Sequence, residues 1–247
     1  MAKTTLGSNW AKVHKTIKKS NKIGKPKQAL DKNSSVPDVA QEQRPSVPSE
    51  PLCQLIMQSK NLATSEEKLN PLLTNIIAID CEMVGVGPSG KRHALARVSI
   101  VNFHGDVLLD TLVKPTEPIT DHRTQFSGIS RGGLLSAPSF KDVQQQVADI
   151  IKDRIVVGHS VQTDFRCLML SHPRNLIRDT TNKLLCPLAP KSLKNLCMEH
   201  LQLPIQEGQH NSIEDARATL ALYKHFSTQW EKRVALTHRN RKKLKKR

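Results

Sequence analysis

NIIAIDCEMVG, residues Asn75 to Gly85, reads as a strand written almost wholly in apolar letters. Ile76, Ile77, Ala78 and Ile79 lead into Cys81, Met83 and Val84, with Asn and Gly at the borders, as in a buried strand. Asp80 and Glu82 interrupt it. Strand side chains alternate faces, so these two carboxylates share a face, roughly 7 Å apart along the strand. Burying one unpaired carboxylate is costly, and two like charges side by side are worse. A cation therefore belongs between them: either a Lys or Arg reaches in, or the strand presents a divalent-metal site. The pair alone does not decide, and the rest of the chain must supply the partners.

Working outward, VGVGPSGKR is a Gly/Pro turn, HALARVSIVNF (93–103) alternates as a second strand, and VLLDTLVKP (107–115) makes a third after an HGD turn. Short turns make these three an antiparallel meander. Residues 119–130, ITDHRTQFSGIS, read as a polar loop. Helical spacing follows over 139–152, then a short buried strand, RIVVGH (154–159), a helix over 161–170, a strand at 175–181 and a helix at 191–201. SIEDARATLALYKHFSTQW (212–230) is a long amphipathic helix. A meander followed by β-α units predicts an α/β fold, a mixed sheet with helices on its faces and its site at the strand ends.

The net charge of +16 is unevenly placed. Residues 1–74 carry 12 Lys/Arg against 6 Asp/Glu, residues 231–247 carry 9 against 1, and 75–230 is left near neutral at +2. Residues 1–74, basic and then rich in Ser, Pro and Gln, read as a disordered arm and linker, with a short helix near Leu52–Leu62. Residues 231–247 read as a basic tail. Such ends bind polyanions or act as nuclear addresses. Five cysteines without a CxxC pair argue against a disulfide framework or a structural zinc site, and no apolar run approaches the length of a membrane span. The expectation is a soluble intracellular protein.

Two further acids and a histidine complete a set. Asp164 opens the helix after RIVVGH, where its bland reading is an acid in a first turn. Asp215 follows Ser212 by three, where a capping box is its bland reading. His210 lies in the loop QEGQHNS, five residues before Asp215. Four acids at the ends or middles of elements that pack on one sheet favour a common site. Hard oxygen ligands select Mg2+ or Mn2+ rather than zinc, and four carboxylates suit two such ions acting on a phosphodiester. As an imidazole, His210 can take the proton from the attacking water.

The order D-x-E, then D, then H-x4-D resembles the DEDDh exonucleases of the ribonuclease H-like superfamily, over residues 75–230. The wording IDCEMVGVGPSG, RTQFSGI, VVGHS, RDTT, SLKNL and HNSIEDARATLALY is similar to the eukaryotic branch of the interferon-stimulated exonuclease and the nuclear and nucleolar RNA exonucleases. That resemblance implies a ribonuclease H-like sheet and 3′→5′ release of nucleoside monophosphates from single-stranded RNA. It implies that Asp80 bridges two ions, that Glu82 and Asp215 complete one sphere and Asp164 holds the other, and that His210 is the general base. It further implies that Met83 contacts the terminal nucleotide, that Arg123 reaches the sugar-phosphate, and that the protein works in the nucleus or nucleolus on ribosomal RNA. Ribonuclease H endonucleases take their glutamate from a helix, so two acids on the first strand favour an exonuclease.

Two stretches depart from the branch. Gln162 and Thr163 stand where relatives place His, Lys or Asn, and DHRTQFSG puts His122, Gln125 and Phe126 where a Tyr, an Arg and a Trp are usual. These touch substrate grip and not the five catalytic positions. Two alternatives stay open: a DNA-degrading exonuclease of the same fold, and a non-catalytic RNA-binding or ribosome-assembly factor. Cys81 reads as a small core residue and His159 as a packed or loop-bonding histidine.

Overall fold

The computed structural model describes residues 72–244. Nearly all of the basic arm expected over 1–74, with the short helix near Leu52–Leu62, lies outside the described residues. β1 (Ile76–Val86), β2 (Arg92–Asn102) and β3 (Val107–Leu112) form the antiparallel meander. The β2–β3 turn closes tightly because Gly105 takes φ 93°, a conformation that side chains disfavour. β5 (Ile155–Gly158) and β6 (Ile177–Asp179) add in parallel, giving the order β3-β2-β1-β5-β6. β4 (Ile119–Asp121) pairs antiparallel with the far end of β1, at Gly85 and Val86. This is the mixed, helix-flanked sheet expected of a ribonuclease H-like fold.

β1 is central and buried on both faces. Ile77, Ile79 and Cys81 pack on one side with Val143, Val147, Ile150 and Ile151 of α3 (Phe140–Ile151), a helix capped by Ser139, whose hydroxyl accepts from the Asp142 amide. Ala78 packs on the other side with α5 (Leu193–Leu201) and α6 (Ser212–Leu244), through Leu196, Ala216, Leu220 and Tyr223. The stretch 119–130 holds more structure than its polar composition indicates: β4 and α1 (Thr124–Ser127), with α2 (Arg131–Leu135) directly after. All three are too short for periodicity to mark. α6 also runs beyond Trp230 and continues through the basic run to Leu244.

The sheet order sets up the site. β5 pairs with β1 only over Ile76–Ala78, so β1 continues past the end of its neighbour at Asp80 and Glu82. β5 stops at Gly158, the chain turns through Ser160 at φ 55°, and α4 (Gln162–Cys167) starts across that gap with Asp164 in its first turn. Glycine is needed at 158 because a Cβ there would lie 2.6 Å from the Cβ of Val161.

Candidate active site

The four acids come together from three elements. Glu82 of β1, His210 of the loop before α6 and Asp215 of its first turn each offer an atom within 4.8 Å of the others. Asp80 joins them: burial first, then the charges of Asp164, Asp215 and Glu82, hold its carboxyl well above the usual range. Asp164 is buried, and the Cys81 thiol is close enough to hydrogen-bond it. Cys81 is thus the core residue expected, with its sulfur at the rim of the site.

Local chemistry explains the seating of Asp215. The Ser212 hydroxyl meets that of Ser99 on β2 at 2.6 Å, which fixes the start of α6 against the strand that faces Asp80. Ser212 therefore does not act as the cap of a capping box. Asn211 does that work, its side-chain oxygen accepting from the Ile213 amide at 3.1 Å. The Asp215 carboxylate is left for other partners: Gln206 Nε2 donates to Oδ2 at 3.0 Å and His210 Nδ1 lies 3.7 Å from the same oxygen, while Oδ1 is buried with no partner. The His210 loop is tied in turn to α1, its amide donating to the Phe126 carbonyl at 2.8 Å.

The electrostatics decide between the two readings of the D-x-E pair. An arginine does reach in: Arg97 of β2 stands opposite Glu82 in register. Its fork, however, is committed to Asp110, with Nε at 2.8 Å and Nη2 at 3.0 Å from the two carboxylate oxygens. Arg97 pulls the Asp80 and Glu82 carboxyls down, but the other effects win. Burial and the charge of Asp215 push Glu82 up to about 7. Burial chiefly raises Asp164 to about 8, and Asp215 is raised as well, again by burial first. One half-engaged guanidinium cannot balance four carboxylates. Their all-oxygen chemistry, with the orphaned Oδ1 of Asp215, fits hard divalent cations.

The residues expected to touch substrate lie on β1 and in the segment from β4 to α1. Met83 is half-buried and packs on the α3 side of β1. Arg123, held at φ 51°, donates to the Gly90 carbonyl at 2.8 Å and meets His93 Nδ1 at 2.9 Å, beside the far end of β1. Phe126 is 62% exposed, a face open to stacking. His159 bonds the Thr180 hydroxyl at 2.8 Å, a loop contact and not a ligand position. Sequence reasoning missed Arg97 and Gln206. Strand register marks the first, and no local signal marks the second.

Comparison with known proteins agrees with this geometry. Residues 77–223 match the model of a family described as "Exonuclease". RNA exonuclease 4 of Candida glabrata is 53% identical over 163 residues, covering 63% of this chain and 61% of that protein. RNA exonuclease 4 of Saccharomyces cerevisiae is 50% identical over 66% of this chain and 57% of its own. Apoptosis-enhancing nuclease of Pongo abelii is 44% identical over 67% and 54%. The matched stretch is thus less than two thirds of each of these relatives. Among solved structures, the Saccharomyces cerevisiae Pan2 pseudoubiquitin hydrolase-RNA exonuclease module with AAUUAA RNA matches at TM-score 0.60 and 30% identity, over 70% of this chain and 32% of that one.

Proposed function

This chain belongs to the exonuclease family, and from that premise we propose that it hydrolyses single-stranded RNA from the 3′ end, releasing nucleoside monophosphates, with two Mg2+ or Mn2+ ions. The observation that supports this most is the clustering of Glu82, His210 and Asp215, with Asp80 electrostatically coupled to Asp164, Asp215 and Glu82, where the nearby arginine is held by Asp110. A scaffold protein has no physical need to gather four largely buried acids short of cations. RNA is favoured over DNA by the names of the relatives and by the RNA-bound Pan2 module.

Asp80, Glu82 and Asp215 would hold one ion, with Asp80 shared by a second at Asp164. Bound there, the ions supply Lewis-acid stabilisation of charge developing on the phosphate. His210, whose Nδ1 lies 3.7 Å from Asp215 Oδ2, takes the proton of the attacking water. The hydrogen bond from its backbone amide to the Phe126 carbonyl ties its loop down, so the base stays beside the carboxylates. Met83 and Phe126 offer apolar surface to the terminal nucleotide, and Arg123 offers charge to its phosphate. The basic terminal segments support a nuclear, nucleolar place of work, and with it the processing of ribosomal RNA. Among the described residues, no helix is long and apolar enough to cross a membrane.

The test is 5′-labelled single-stranded RNA incubated with Mg2+, Mn2+ or EDTA, beside the Asp80→Ala protein and a DNA strand of the same sequence. A ladder shortening from the 3′ end, abolished by EDTA and by the substitution, supports the reading. Faster loss of the DNA strand turns it to the DNA-degrading alternative, and intact strands in every lane sink it.

A further inference from the structure

The far half of α6 and the edge of the sheet enclose a feature that the catalytic site does not use. Between β6, the loop after it and α6 lies a cleft of about 670 Å³, lined by Arg174, Lys183, Arg233 and His238 among others. The acids beside it are already occupied. Asp179, in its wall, accepts from the amides of Ser160, Val161 and Thr181 and from the Thr181 hydroxyl. Glu231, the one acid among residues 231–247, is buried and holds Arg178 by two bonds, at 2.7 and 2.8 Å. Arg174, Lys183 and Arg233 are exposed and form no ion pair among the described residues. Gln162, on α4 two residues before Asp164, is among the residues that line it.

We propose that this cleft holds the phosphate backbone of single-stranded RNA upstream of the 3′-terminal nucleotide, a proposal that rests on the 3′→5′ exoribonuclease reading. Exposed Lys and Arg along an open wall, with no buried donor set for a single anion, suit a string of phosphates gripped without reading sequence. The Arg178–Glu231 pair is then the pin of the device. It joins β6 to α6 and sets the basic half of that helix across the sheet edge. The nearly neutral core domain thereby gains its grip on substrate from one helix that continues out of it.

The test compares the full chain with its Lys183→Glu/Arg233→Glu variant. Both residues are exposed, so the fold does not depend on them. Binding is followed by fluorescence anisotropy in EDTA, with labelled RNA of about 20 nucleotides and with a trinucleotide, across a salt series. Expected is a loss of affinity for the long RNA at least tenfold greater than for the trinucleotide, with a salt slope shallower by about 1.4 for two phosphates released. Equal affinities for the long RNA, or equal losses on both lengths, would overturn the proposal. Because the comparison needs no turnover, a wild-type protein that cleaves no RNA would remove the exoribonuclease reading while the binding data still decide the cleft.

Discussion

α6 buries an acid at two points, and the two are treated differently. Glu231, 8% exposed, receives Arg178 Nε and Nη2 at 2.7 and 2.8 Å and the Tyr223 hydroxyl at 3.1 Å. Asp215, 3% exposed, receives one neutral donor, Gln206, leaves Oδ1 bare, and stands among three more carboxylates. About four and a half helical turns separate them at roughly 3.6 residues per turn. A buried charge supplied with a full set of partners holds the fold. One kept short of partners, beside others in the same state, is kept for something to bind.

The contrast breaks most visibly if each acid is made neutral in turn. On the proposed mechanism Asp215→Asn removes a cation ligand, and it should lower RNA hydrolysis by more than about 10³-fold, upwards of about 4 kcal/mol on the barrier. Its urea unfolding in EDTA should show stability kept or raised, because one of four repelling charges is gone. Several kcal/mol of lost stability would make Asp215 a structural residue and dissolve the comparison. Glu231→Gln should do the reverse. Leaving Arg178 buried without its counter-charge costs about 3–5 kcal/mol of unfolding free energy. Hydrolysis per folded molecule should fall far less than in Asp215→Asn.

How much of this was legible in the sequence follows from the same contrast. The meander was readable because its strands are long and its turns carry glycine. The four acids were readable because D-x-E in an apolar strand is an anomaly that asks for a partner. β4, α1 and α2 were not, since three to five residues show no period and their order comes from pairing with β1 and from side-chain bonds such as Thr120 Oγ1 to the Gly87 carbonyl. The end of α6 was misjudged because a run of Lys and Arg looks like a solvated tail. A signal was present: Glu231 is the single acid in that run, and Trp230 and Val234 continue the apolar stripe onto the core. Arg97 and Gln206 belong to the site only through register and loop path, which no local pattern encodes.

A smaller effect separates the two regions by pH. Without divalent cations, the active-site carboxyls keep protons that the unfolded chain releases: Glu82 titrates at about 7 and Asp164 at about 8, against an ordinary carboxylate near 4. The folded state thus binds more protons than the unfolded state between about pH 4 and 8, so stability falls as pH rises through that window. In EDTA, Tm should decline from about pH 5 to 8, and Asp164→Asn should flatten the decline. Mn2+ should raise Tm most at the alkaline end, where it replaces repulsion between ionised groups. A Tm that is flat or rising in EDTA would mean that Arg97 already balances the site.

The finest cut compares the one neutral donor that each acid keeps. Gln206 Nε2 and the Tyr223 hydroxyl make bonds of similar length, 3.0 and 3.1 Å, to buried carboxylates on one helix. If the surroundings decide what such a bond is for, removing each should be felt in a different quantity. Tyr223→Phe leaves Glu231 with both Arg178 bonds, so about 1 kcal/mol of stability should go and Mn2+ affinity should hold. Gln206→Leu removes the side-chain donor to Asp215 Oδ2 and frees its carboxylate to turn, so Mn2+ affinity should fall about tenfold with little change in the metal-free Tm. Calorimetric Mn2+ titration beside urea unfolding reads both. If Gln206→Leu cost stability and spared the metal, the orientation of Asp215 would be set by its helix alone, and the bond would belong with the structural pair at the other end of α6.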